Sequence, residues 1–174
     1  RRNMLRIIRH PALWILCSGF GANGLAQADA VTVNITSNVI AAPCVIDGAG
    51  SLDIKLDDIV VSKLQKDGDT SPFKSFDLKL KDCPAATTKV TATYTGTAAT
   101  LSPNSFINSG TATQLVLYVV DNDSKGISPN TTRQATVNST TKTAVFSQKV
   151  QIYAKGLATA GTVIGNIVVS FTYQ

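Results

Sequence analysis

An all-β fold is predicted by three features of this sequence. Short segments alternate apolar and polar side chains with a period of two, Thr and Val are abundant, and Asn, Ser, Gly and Pro collect between the alternating segments. Leu-rich helical periodicity is scarce. The arrangement expected is a two-sheet sandwich of the immunoglobulin-like kind in one domain.

The chain opens with a basic stretch, Arg1-Arg2-Asn3-Met4-Leu5-Arg6, followed by an apolar run from Pro11 to Phe20 and a small-x-small site at Ala26-Gln27-Ala28. This is the plan of a secretory signal peptide, so residues 1–28 are expected to be removed. The apolar run is about half the ~20 residues a membrane-spanning helix needs, which predicts no stable membrane insertion. Cleavage changes the charge balance, because four arginines leave with the signal and 12 basic residues then face 11 aspartates. The basic surplus of the whole chain belongs to the discarded segment, and no basic cluster with interleaved aromatics remains to bind nucleic acid. Cys17 also leaves, so Cys44 and Cys83 remain. In an exported protein they are expected to form one disulfide, with a free reactive thiol as the alternative.

The mature chain begins with a strand pattern. Val31, Val33, Ile35 and Val39 are apolar, with Thr32, Asn34, Thr36 and Asn38 between them and Ser37 as a small residue in the apolar phase. Such a strand needs a sheet to enter, its own or another molecule's. Leu52, Ile54 and Leu56 predict the next strand, and Asp58 to Gln65 is the one stretch with a helical turn in prospect. Phe76, Leu78 and Leu80 alternate into Cys83-Pro84, and Val90 to Thr95 follows. Leu115 to Val120 is apolar on both faces, as in a strand central to its sheet. Ala144 to Lys155 and Ile164 to Tyr173 complete the strand series. Turns are expected at Ser102-Pro103-Asn104-Ser105, at Asp121 to Gly126 and at Ser128-Pro129-Asn130.

The inventory disfavours an enzyme. After the signal there is no histidine, and the chain has no glutamate, which removes most general acids and bases, His-dependent triads and His-bearing metal sites. Asp121-Asn122-Asp123-Ser124-Lys125-Gly126 has the frame of a calcium loop. Lys125 and Thr132, however, stand where oxygen ligands are required, so a turn is expected there. No catalytic residue, metal site or cofactor site is assigned. The only Trp is Trp14 in the signal, and Tyr94, Tyr118 and Tyr153 fall within strand patterns where packing explains them.

The two ends mirror one another. Ile167, Val169, Phe171 and Tyr173 alternate with polar or small neighbours, so the C-terminal strand poses the question of what pairs with its far edge. With the start at Ala28-Asp29 to Val39, the segment Ile40-Ala41-Ala42-Pro43-Cys44, Leu80-Lys81-Asp82-Cys83-Pro84, the Lys89 to Gly96 strand, Gly161 and Tyr173, the sequence resembles subunits of chaperone-usher pili. Among these it is most similar to a minor subunit or tip adaptor of type 1 fimbriae.

The resemblance implies a pilin fold, an immunoglobulin-like sandwich lacking its last strand and completed by a donor strand from another subunit. It divides the chain into a signal peptide (1–28), a donor-strand extension (29–42) and a pilin domain (43–174). Val31, Val33, Ile35, Ser37 and Val39 would be donated, with Ser37 standing where related extensions often carry glycine. Gly161, Ile167, Val169, Phe171 and Tyr173 would border the acceptor groove and meet the chaperone. The implied partners are a periplasmic chaperone, an outer-membrane usher and neighbouring subunits, with the product an extracellular fimbrium supporting cell adhesion. A major rod subunit and an exported glycan-binding sandwich are the competing expectations.

Overall fold

The computed structural model describes residues 36–37 and 42–174. The signal segment and Val31, Val33, Ile35 and Val39 lie outside the described residues. Ser37 is within them and is exposed.

Ten strands form among the described residues: β1 (Val45–Ile46), β2 (Lys74–Lys81), β3 (Lys89–Thr95), β4 (Ala98–Ala99), β5 (Ser102–Ile107), β6 (Leu115–Asp121), β7 (Gly126–Ile127), β8 (Thr131–Thr136), β9 (Ala144–Ala154) and β10 (Val168–Tyr173). The larger sheet has the order β1-β2-β9-β6-β5-β4, with β7 also against β6, and the smaller has the order β10-β3-β8. Every pairing is antiparallel. The inward faces meet in one core: Leu80, Leu115, Leu117, Val119, Phe146, Val150 and Ile152 come from the larger sheet and Val90, Ala92 and Tyr94 from the smaller. Alternation in β3 places Val90, Ala92 and Tyr94 inside at 0–1% exposure, while Lys89 and Thr95 face water.

Cys44 and Cys83 form the disulfide, tying the start of β1 to the end of β2 across a separation of 39 residues. Both cysteines are buried. The expected helical turn is a short 3₁₀ turn at Val61–Lys63. The Asp121–Gly126 stretch is a turn, because Asp121 Oδ1 accepts the N–H groups of Asp123 and Lys125 at 3.1 and 2.8 Å.

Several element expectations change. Leu52 to Leu56 carries the strand alternation but joins no ladder among the described residues. Ser102-Pro103-Asn104-Ser105 belongs to β5 rather than to a turn. Its defined pairs with β6 lie at Phe106 and Ile107, beyond Pro103, so the missing N–H costs the β6 ladder nothing at those positions. β8 went unread because Thr131-Thr132-Arg133-Gln134-Ala135-Thr136 has almost no apolar residue; it is an edge strand, half-buried at most. The C-terminal strand begins at Val168 instead of Ile164.

Candidate functional site

The feature that stands out is the free edge of β10. This strand pairs with β3 through six register positions, from Val168↔Thr95 to Tyr173↔Val90, and no other described strand pairs with its opposite side. Its end is pinned: the Gln174 carbonyl accepts from the N–H groups of Thr88 and Lys89 at 2.6 and 2.9 Å, and Gln174 N–H donates to the Lys89 carbonyl at 2.9 Å. The open edge is therefore not a frayed terminus. It is a strand fixed on one side whose second row of backbone groups meets no partner among the described strands.

The side chains on β10 explain what such an edge can do. Val168, Ser170 and Thr172 point outward and are exposed, whereas Val169, Phe171 and Tyr173 point toward the core but remain only half-buried. Phe171 reaches Phe146 of β9, with ring centroids 5.8 Å apart. Tyr173 Oη donates to the Cys44 carbonyl at 3.5 Å, which brings the end of β10 across to the disulfide at the first edge of the larger sheet. Burial raises the Tyr173 phenol pKa, so the hydroxyl keeps its proton at neutral pH.

A second row of half-buried apolar residues packs on the same core from the segment before β2 and from β2 itself: Ile54, Leu56, Ile59, Phe76 and Leu78. The stretch from Ile54 to Ile59 forms no backbone hydrogen bond among the described residues. Two stretches with half-buried apolar residues thus border the core, one from each end of the domain, and among the described residues neither the Ile54–Ile59 backbone nor the outer edge of β10 is paired. One strand laid between them would satisfy backbone groups and cover side chains together.

Of the sequence-predicted residues, Ile167, Val169, Phe171 and Tyr173 share one inward row, joined by Val163, which sequence reading did not single out. Gly161 stands apart from that row and does something else. A Cβ there would fall 2.6 Å from the Ala112 backbone nitrogen, so glycine lets the approach to β10 press against the chain before β6. Ile54, Leu56 and Ile59 were also missed as site residues; the alternation of Ile54 and Leu56 was legible but not where it would pack, and Ile59 fell in the stretch read as a helical turn.

Elsewhere the polar residues knit the sandwich. Arg133 of β8 donates through Nε to Asp121 Oδ2 at 2.8 Å and through its other nitrogens to the carbonyls of Thr132 and Gly126. Burial pushes the Asp121 carboxyl up. The Lys125 N–H and the Arg133 guanidinium outweigh it and hold the group below the ordinary carboxylate value. Gln148 donates to the Tyr94 hydroxyl in the core, and burial pushes the Tyr94 pKa up to about 12. Tyr118 and Tyr153 pack on one another with ring centroids 6.3 Å apart. No cluster of three or more potential metal ligands occurs among the described residues.

The described residues form an all-β sandwich with a fixed, half-covered edge strand at its C-terminal end, and comparison gives the class of protein to which it belongs. The family model for fimbrial proteins matches residues 33–174, and the chain belongs to that family. The S-fimbrial adhesin protein SfaS of Escherichia coli O6:K15:H31 (strain 536) is 32% identical over 148 residues, covering 85% of this chain and 88% of SfaS. FimG of Escherichia coli K12 is 29% identical, covering 88% of this chain and 90% of FimG. The P pilus rod subunit PapA superposes with a TM-score of 0.64 at 17% identity, over 76% of this chain and all of PapA. A subunit in a chaperone-usher pilus structure gives a TM-score of 0.65 at 18% identity, over 84% of this chain and 96% of that one. The fold is the immunoglobulin-like pilin fold, and the protein is a subunit of a chaperone-usher fimbria, an extracellular fibre built from such subunits. These relatives are structural fimbrial proteins rather than enzymes.

Proposed function

We propose that the chain is a minor, adaptor-type subunit that links its neighbours by donor-strand exchange and so supports cell adhesion by the fibre. The observation that carries this reading is the fixed edge of β10, unpaired among the described strands, with Val169, Phe171 and Tyr173 half-covered beside the core. An incoming strand would pair with β10, run beside Ile54 to Ile59, and place alternate side chains over the two apolar rows. Val31, Val33, Ile35, Ser37 and Val39 of residues 29–42 are the side chains this chain would offer in turn to its neighbour. Burying four apolar side chains supplies on the order of 6–12 kcal/mol before ordering costs, enough to make exchange very slow.

Residues 1–28 act as the export signal to the periplasm. There a chaperone covers the open edge until the outer-membrane usher exchanges it for the next subunit's extension. The short extension and the Ala41-Ala42-Pro43-Cys44 segment favour an adaptor over a major rod subunit.

The test is a matched pair of variants. Val33→Asp should abolish donation, and Val169→Asp should abolish acceptance. Each should stop fibre growth at an opposite end of the subunit while the chaperone-bound Val33→Asp subunit still folds. Normal assembly of either variant into pili, read by electron microscopy and heat-resistant multimers on gels, would refute the assignment.

A further inference from the structure

The route into β10 is held by side chains rather than by a backbone ladder. Residues 159–164 run beside residues 108–113, and only two backbone bonds join them: Ser109 N–H to the Ile164 carbonyl at 2.8 Å and Ala112 N–H to the Thr162 carbonyl at 3.0 Å. Asn108 supplies much of the rest. Its Oδ1 accepts from Gly110 N–H and from Ile164 N–H, both at 2.9 Å, and its Nδ2 donates to the Ala112 carbonyl at 2.7 Å. Thr111 and Thr162 add a reciprocal pair, each backbone N–H donating to the other's hydroxyl at 3.0 and 2.9 Å.

Thr111, Thr162, Ser109 and Ile164 are exposed, so water competes for these bonds, and Asn108 is the half-buried member. Such a seam opens at lower cost than a buried ladder of equal length. The residue that follows it matters as well. A Cβ at Gly165 would fall 1.9 Å from Leu117 Cδ1, so the backbone sits directly on the core there, before the inward row resumes at Ile167.

We propose, on the basis that β10 accepts a strand from a neighbouring subunit, that Asn108 is the latch of this seam, and that the seam opens as a strand enters or leaves the edge. Asn108 is a positioning residue: it fixes Ile164 and hence the path into Ile167 and Val169. Opening releases that path while the β10–β3 ladder stays in place. The seam then sets the rate of exchange, while the apolar rows set its final stability.

The experiment uses the chain from residue 29 onward, loaded with a synthetic peptide of residues 30–39 and chased with the same peptide carrying a fluorophore. Asn108→Ala removes all three side-chain bonds and should speed peptide exchange at least about five-fold, the effect of a net loss of about 1 kcal/mol. Asn108→Asp keeps an acceptor for Gly110 and Ile164 but loses the donor to the Ala112 carbonyl, and should exchange at a rate between those of the wild type and Asn108→Ala. Amide hydrogen exchange should be faster at Ser109, Ala112, Thr162 and Ile164 than in β3, and in Asn108→Ala it should accelerate at those positions alone. An unchanged exchange rate, or an acceleration spread evenly over the whole domain, would overturn the latch. Failure of the wild-type chain to take up the peptide at all would instead strike at the strand-accepting edge itself.

Discussion

β9 and β10 are written in the same alternating code but end in different states. β9 lies between β2 and β6, with seven register pairs on each side, and its inward Phe146, Val150 and Ile152 are 4–8% exposed. Among the described strands β10 pairs with β3 alone, and its inward Val169, Phe171 and Tyr173 stay half-buried. The difference comes from neighbours, not from composition. A β-strand's inner face is covered fully only when both flanks are occupied, so β10 shows what β9 would be with one neighbour missing.

The comparison can be broken first at the paired centre. Phe106 is 1% exposed in the core, and Phe106→Ala should cost about 3–5 kcal/mol of subunit stability, read as a lowered denaturation midpoint of the chaperone-free, peptide-loaded domain. Replacing both Cys44 and Cys83 by Ser should cost about 2–4 kcal/mol, and reductant should reproduce the loss in the parent protein. Arg133→Ala leaves Asp121 without its charged partner and should cost about 1–3 kcal/mol. At the open edge the effect should be smaller for the isolated subunit and larger for assembly. Phe171→Ala is expected to lower subunit stability by about 1–2 kcal/mol while strongly shortening the lifetime of the strand-exchanged complex, measured by heat dissociation on gels.

pH sharpens the same contrast through the paired interior. The Asp121 carboxyl has its pKa lowered in the folded chain, so its contribution is complete above the ordinary carboxylate range near 4 and is lost as pH falls through the folded value. Tyr94 has the opposite sign. Its pKa is raised to about 12, so the neutral phenol stabilises the fold below pH ~10 and that contribution disappears as pH rises toward 12. Arg133→Ala should flatten the acid limb and Tyr94→Phe the alkaline limb of a stability profile followed by circular dichroism.

Much of the fold was legible in the residues. The segments read at Phe76 to Leu80, Val90 to Thr95, Leu115 to Val120 and Ala144 to Lys155 each contain a strand, because a period of two, or a run apolar on both faces, is buried only by a sheet. Exposed edge strands were harder: the Thr-rich β8 needs no apolar face, and β5 hides behind a turn-like Ser-Pro-Asn signal. At the candidate site, Val169, Phe171 and Tyr173 were legible as an inward row, whereas Ile54 and Ile59 were not recognisable as its counterpart. Residues more than a hundred positions apart share a core edge only once the sandwich closes.

The sequence by itself therefore determined the strand-forming segments, the apolar phase of β10 and the cysteines available for pairing, since these follow from side-chain chemistry at fixed local spacing. Tertiary structure alone decided that among the described residues β10 has a partner on one flank only, that Ile54 to Ile59 packs on the core without joining a ladder of described strands, and that Asn108 bonds to Ile164 on the approach to β10. Hydrogen-bond partners across a sandwich are set by which strands become neighbours. Alternation fixes the face of a strand and carries no information about the strand beside it.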